Sequence, residues 1–395
     1  MNCNSPVNTP AEQPVLQPTV QSRLTLGLPA SACAGERRFP LTPEAVNMLV
    51  ARGFTVKMEK GAASTIKYSD NRYTRQGATI TSRDETLGCD VVLHIPQMPL
   101  LDVKKMRRGA LLLTLSDISE YTDSAIRELL ERGITSVAMI RIEDDNGSTP
   151  FNDVLAEVDG RASVAIASSF LADPLNGKGI LLGGISGIVP CEITILGSDI
   201  AACAAARSAL GLGATVRMFD NDVSRLRYAI KELGTGVIAS AVYPHVLQNA
   251  LRSADVVIAT EAGSGCVIGQ DMTELMKKHV ILLDLCQISG RIFPSIPAAS
   301  LTEVTLSGTS CHTAARRCFT HVGNAVPRTS AMALSNVLIT MLDRILSCDG
   351  ITNALKIMPG LRPAVQTFMG KAVNTALARK LNMRQVDINI FLSLS

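Results

Sequence analysis

Gly197, Asp199 and Ala202 occupy the three key positions of a G-x-G-x-x-G/A turn within segment 191–222, CEITILGSDIAACAAARSALGLGATVRMFDND. In that pattern the first glycine makes the turn, the second lets a pyrophosphate approach a helix N-terminus, and the third lets helix and strand pack closely. Ala202 is an accepted variant, and Asp220 stands where an acid accepts hydrogen bonds from an adenosine ribose. Asp199 is the departure. A carboxylate about 4 Å from a phosphate repels it by roughly 1 to 4 kcal/mol, which weakens binding about tenfold to a thousandfold. Two readings stay open: a dinucleotide site with a weakened grip, or an α/β unit whose cleft is empty or takes something else.

The elements that position this turn follow from periodicity. The apolar run 193–196 suits a buried parallel strand, the Ala-rich stretch 200–210 a helix, and 215–219 the next strand. Upstream, 24–28 reads as a strand, 43–52 as a helix capped by Thr42 with Pro43 at its first position, and 55–59 as a strand. The alternation continues through 91–95, 111–115, a helix at 123–131 and 135–140, as a parallel sheet requires. Helical stretches at 155–172 and 330–346 are candidates to bridge two domains, which places a ligand cleft between them. The expected fold is α/β: two Rossmann-like doubly wound domains, joined by long helices.

Composition narrows the function. A chain of 395 residues holds about two domains, and a net charge of +3 argues against nucleic acid as the main partner. Lys104, Lys105, Arg107 and Arg108 alternate with Val103 and Met106, the pattern of a half-exposed helix. The ten cysteines, Cys89, Cys203, Cys286 and Cys318 among them, form no C-x-x-C pair and no metal-spaced set with histidine, so they read as small buried residues of a reducing cytosol. Pro190, Glu192 and Asp199 break the apolar stretch 180–206, so no membrane span is expected. Residues 1–22, rich in Pro, Gln, Asn and Thr, read as a flexible tail without signal-peptide organisation. The expected location is the cytoplasm.

Seven segments then point to a family. They are GLP at Gly27, GERRFPLTPEAV at Gly35, EKGAASTIKYSD with Tyr73 and GATI after it, AEVDGRA at Ala156, GKGILLGGISGIVP at Gly177, SADVVIAT at Ser253 and AVPRTSAMALSN at Ala325. In this order they resemble the alanine dehydrogenase and proton-translocating transhydrogenase alpha-subunit family, from Leu24 to about Leu346. The resemblance implies a catalytic substrate domain from 23–150 plus 325–395 and an inserted NAD-binding Rossmann domain, 151–324. It favours the soluble alanine dehydrogenase branch, whose members interconvert alanine with pyruvate and ammonia using NAD and often form hexamers. The implied partners are a small amino or keto acid and further copies of the chain.

Carried across position by position, the resemblance makes Arg38 the grip on a substrate carboxylate, a role its planar bidentate donors suit. Pairing with Glu36 is the alternative reading of Arg38. The family's catalytic lysine falls at Pro96, which offers no ammonium, and its catalytic histidine at Asp117, a poor proton donor at neutral pH unless burial raises its pKa. The late D-I-A-I-D-Q-G-G segment reads Asp284, Leu285, Cys286, Gln287, Ile288, Ser289, Gly290 and Arg291. An Asn-Met-Pro cofactor contact reads His321, Val322 and Gly323. The serine before E-V-A-G-R is Ala156, while Glu157, Gly160 and Arg161 keep the frame. His94, two residues before Pro96 and so on the same strand face, and His321 are candidate replacement acids or bases. The candidate site is therefore Asp117 and His94 for catalysis, Arg38 for substrate, and Gly197, Asp199, Ala202, Asp220 and His321 for NAD, with Asp199 opposing the cofactor. The functions in play are an alanine dehydrogenase-like oxidoreductase with impaired activity, a non-catalytic ligand sensor or assembly subunit, and a site whose Asp199 accepts a neutral or cationic ligand.

Overall fold

The computed structural model describes residues 24–33, 35–175, 177–302, 317–348 and 350–394; the expected tail, 1–22, lies outside them. The first sheet begins with β1 (Thr25–Leu28), β2 (Thr55–Glu59), β3 (Thr79–Thr81), β4 (Val91–Leu93), β5 (Leu111–Thr114) and β6 (Thr135–Ala138). The chain then builds a second sheet from β7 (Glu192–Leu196), β8 (Thr215–Phe219), β9 (Val237–Ser240), β10 (Val256–Ala259), β11 (Ile281–Asp284), β12 (Ala298–Ser300) and β13 (Cys318–Thr320). It returns to complete the first with β14 (Val365–Phe368) and β15 (Lys371–Ala372).

The first sheet runs β15-β14-β6-β5-β4-β1-β2-β3 and the second β12-β13-β11-β10-β7-β8-β9. Apart from the antiparallel β14 and β15, all pairings in both sheets are parallel. Each sheet therefore has one point where strand order reverses, between β1 and β4 in the first and β7 and β10 in the second. Outside the carboxyl ends of those strands a doubly wound sheet opens its ligand crevice. Apolar cores cover both faces of each sheet, with Leu26, Val56 and Leu93 on one face of the first and Val92, Leu112 and Ile126 on the other.

Helix Pro150–Ala172 joins the domains: Phe151 and Leu155 sit in the first core, Ala162, Val164 and Leu171 in the second. Helix Pro327–Ser347 gives Ala331, Leu334 and Leu338 to the first core, while Val326 just before it packs on the second. Both helices start earlier than periodicity alone indicates, because a proline supplies the first turn of each. The basic cluster is not helical. The helix Leu100–Val103 ends before it, and Lys104, Lys105, Arg107 and Arg108 are exposed in turns around buried Met106. Lys105 pairs with Asp84 and Arg107 with Asp90, which anchors these turns.

Burial pushes the thiols of Cys89, Cys191, Cys203, Cys286 and Cys318 up, as befits packing residues. Among the described residues no helix is long and apolar enough to cross a membrane, and no group of His, Cys, Asp and Glu is placed to hold a metal ion.

The joining helix crosses helix Ile200–Gly211 at Gly160, where an added Cβ would lie 2.2 Å from the Ala201 carbonyl oxygen. Gly160→Ala is expected to push these helices apart at a cost of about 1 to 3 kcal/mol. Urea unfolding of the variant beside the parent chain measures it, and equal midpoints would contradict the close approach.

Candidate functional site

In the second domain the crevice between β7 and β10 is bridged by one side chain. Gly197 follows β7 with φ of +112°, and a Cβ there would lie 2.1 Å from Thr260 Oγ1, so only glycine serves. Asp199 is the N-cap of helix Ile200–Gly211. Its Oδ1 accepts from the Ala202 N–H at 3.0 Å and its Oδ2 from the Ala262 N–H, beyond β10, at 2.9 Å. A helix N-terminus attracts anions through its free N–H groups and its dipole; here the anion is the chain's own carboxylate. A pyrophosphate brought to this turn would meet negative charge and two amide donors already engaged.

Asp220, at the end of β8 and buried, is similarly occupied. It accepts from Ser198 Oγ at 2.7 Å, from the Asp222 N–H at 2.8 Å and from Arg225 Nη2 at 3.1 Å. Arg225 thus lies on the acid that the dinucleotide pattern assigns to a ribose.

Arg38 lies on a loop fixed from both sides. Phe39 and Leu41 are buried, the Tyr73 hydroxyl donates to the Leu41 carbonyl at 2.7 Å, and the Thr42 N–H donates to Ser335 Oγ at 2.9 Å. The guanidinium donates from Nε to Glu36 Oε1 at 2.9 Å and from Nη2 to Glu36 Oε2 at 2.6 Å. The pairing with Glu36 is therefore real, but it is largely buried, with 19% of the Arg38 side chain exposed. Burial works against the Arg38 charge; Glu36, Asp159 and Glu120 outweigh it and hold the guanidinium's pKa above its usual value.

Asp117 follows β5, as expected, but caps the 3-10 turn Ile118–Glu120. It accepts from the Ser119 N–H at 3.1 Å and pairs with Arg141 Nε at 2.6 Å. His94 lies just past β4, not within a strand, so strand alternation does not orient it. It is 2% exposed, and its Nδ1 lies 2.8 Å from the Pro96 carbonyl, which fixes the proton on Nδ1. Burial lowers its pKa and keeps the ring neutral. Ile288 is 62% exposed at the surface.

The residue that sequence reasoning passed over is Asp159. It sits on the joining helix, within electrostatic reach of Arg38, and packs against Gly323, where an added Cβ would lie 2.3 Å from Asp159 Oδ1. Burial raises its pKa to about 6, against the pull of Arg38 and the Gly323 N–H, with Glu36 adding to the rise. Next to Gly323, Asn324 ties the domains: its Nδ2 donates to the Gly35 carbonyl at 2.9 Å, and its Oδ1 faces the Arg37 N–H at 3.4 Å. His321 opens this turn in the left-handed region, φ +56°, exposed, with Nδ1 3.0 Å from Thr320 Oγ1. The available signal was an acid in place of the alanine of E-V-A-G-R, matched by a glycine in place of the proline of Asn-Met-Pro. Arg38, Asp159 and the 322–325 turn thus meet at the junction. Asp199 and Asp220 meet at the second-domain crevice.

Comparison with known proteins gives matches along nearly the whole chain. Residues 27–158 match the N-terminal domain model of alanine dehydrogenase/PNT and residues 163–375 its C-terminal domain model. Alanine dehydrogenase of Staphylococcus saprophyticus is 28% identical over 371 residues, covering 92% of this chain and 99% of its own. That of Mycolicibacterium smegmatis is 27% identical over 379 residues, covering 94% and 100%. Among solved structures, an L-alanine dehydrogenase superposes with a TM-score of 0.77 at 24% identity over 90% of this chain and 98% of its own. A transhydrogenase from Sinorhizobium meliloti superposes at 0.69 and 18% identity over 89% and 99%. These two establish the fold.

Because the folded chain holds the Asp159 proton more tightly than the unfolded chain, stability falls as pH rises from about 4 to about 6 and stays lowered above that. Asp159→Asn removes this loss and is expected to raise stability at pH 7.5 by on the order of 1 to 3 kcal/mol. Urea unfolding at pH 5.0 and 7.5 tests it; a variant less stable than the parent at pH 7.5 would contradict the assignment.

Proposed function

This chain belongs to the alanine dehydrogenase/PNT family, and we propose that it is a non-catalytic member, a receptor for a small ligand held where the two domains meet. In this reading 23–150 plus 325–395 form the ligand-side domain and 151–324 the former nucleotide domain. The reaction that the resemblance implies passes a hydride to NAD, and the residues present do not fit that cofactor.

The observation that carries the reading is the Asp199 carboxylate on the Ala202 and Ala262 amides. A dinucleotide must expel or tolerate it, and either costs binding energy. Three further features agree with it. The Asp220 acid is engaged by Ser198 and Arg225. Pro96 supplies no ammonium. Asp117, bound to Arg141 and to its own turn, is a carboxylate where a proton donor is needed. Arg38 remains as a partly buried cation able to meet an anionic group, which is why ligand binding is kept in the proposal while hydride transfer is not.

Calorimetry with NADH tests the reading, with a spectrophotometric assay for alanine-dependent NADH formation beside it. The parent chain is expected to give neither binding nor turnover, while Asp199→Gly tightens NADH binding about tenfold to a thousandfold. Micromolar NADH binding by the parent chain, or robust turnover, would overturn the proposal.

A further inference from the structure

The segment GKGILLGGISGIVP contributes none of the side chains that meet at the crevice or the junction, and from Gly179 to Cys191 the chain carries no charged residue. A run of that composition belongs in a core, but here much of it stands on the surface of the second domain. Leu181 is 69% exposed, Ile185 58%, Ile188 63% and Val189 87%.

These side chains are held in place. Ile185 and Ile188 exchange both backbone hydrogen bonds, at 3.2 and 2.9 Å, around a turn in which Gly187 takes a φ of +86°. At the base the Ile180 N–H donates to the Leu171 carbonyl and the Cys191 N–H to the Leu182 carbonyl. Leu182 is buried in the second core, and Lys178 pairs with Asp255 at 2.8 Å. The hairpin is thus a firmly rooted apolar tab. Beside it, Gly183 lies so close to the end of helix Ile200–Gly211 that an added Cβ would sit 2.1 Å from the Leu212 carbonyl oxygen. Leu212 is 51% exposed, between exposed Gly211 and Gly213. The patch therefore continues from the tab onto a shelf almost bare of side chains.

Area and charge decide what covers such a face. The five exposed aliphatic side chains leave on the order of 500 Å² of apolar surface in water, which matches the largest patch of a typical monomer. With the exposed backbone of 184–187 and 211–213 the face approaches the roughly 800 Å² per partner of a standard interface. A membrane surface or a nucleic acid is met by free lysines and arginines, whereas Lys178, at the base of this tab, is held by Asp255. Depletion of charge at the centre marks a protein interface. A twofold axis sets each group near its own kind, which an uncharged patch accepts without repulsion. Because tab and shelf lie side by side on one face, such an axis between them lays the tab of one copy on the shelf of the other.

We propose that the 179–191 hairpin is the docking surface for a second copy of this chain, with Ile188 and Val189 of each copy covering Leu212 and the 211–213 shelf of the other. The inference goes beyond the receptor reading and does not depend on it, so NADH binding by the parent chain would leave it standing.

Sedimentation velocity on the full-length chain, from micromolar to tens of micromolar, tests this. The parent chain is expected to sediment as a dimer or a larger assembly. The double variant Ile188→Asp with Val189→Asp changes only exposed side chains and is expected to reduce the mass at least by half. Gly211→Leu fills the shelf where an added Cβ meets nothing within 4 Å, and is expected to weaken association about tenfold or more. Ile238→Asp, at an exposed position on the edge strand β9, is expected to keep the parent mass. Circular dichroism spectra check that all three fold. A parent chain that is monomeric throughout, with or without binding to vesicles of phosphatidylcholine and phosphatidylserine, would overturn the proposal. So would parent-like association in the double variant or in Gly211→Leu, or an equal loss of mass in Ile238→Asp.

Discussion

Two backbone amides and one carboxylate set the character of this molecule. Parallel strands send their carboxyl ends, and the helices that follow send their N-termini, toward one crevice, so a doubly wound sheet concentrates positive potential where strand order reverses. Asp199 fills that place from within, linking the Ala202 amide at the helix start to the Ala262 amide beyond β10. Gly197 makes the turn that brings it there, and its lack of a side chain leaves room for Thr260. The carboxylate therefore both closes the turn and competes with the anion such a crevice is shaped to receive.

The same device recurs. Glu36 covers Arg38, Arg141 covers Asp117, and Ser198 with Arg225 covers Asp220. Each pairing relieves a charge that would be expensive to leave alone in a partly buried setting. Each also engages a residue to which the family resemblance would assign ligand chemistry. At Asp159 the balance falls the other way: Arg38 and the Gly323 N–H favour its charge, but burial outweighs them and raises its proton affinity.

Much of the frame was legible in the sequence. The strands at 55–59 and 215–219 and the helix at 123–131 agree with the structure to the residue, because β-branched or apolar alternation and a Thr N-cap leave little freedom there. Asp199 was legible as an anomaly, but its second bond, to Ala262, joins residues 63 positions apart and no local pattern contains it. Asp159 was hidden for a related reason. Next to Glu157 and Arg161 it reads as part of a solvated helix face, and its significance comes from Arg38 and Gly323, which only the meeting of the two domains brings close. His94 shows the limit of strand alternation: β4 ends one residue before it, and the ring turns back onto the Pro96 carbonyl.

The most direct measurement is a two-dimensional amide NMR titration of the full-length chain, labelled with nitrogen-15 at alanine, with NADH added to millimolar concentration. The Asp199 carboxylate on the Ala202 and Ala262 amides predicts that both resonances stay where they are in the parent chain and move in Asp199→Gly. Saturable shifts of both resonances in the parent chain at micromolar NADH would contradict the central claim, since the amides would then be answering to a pyrophosphate and not to Asp199.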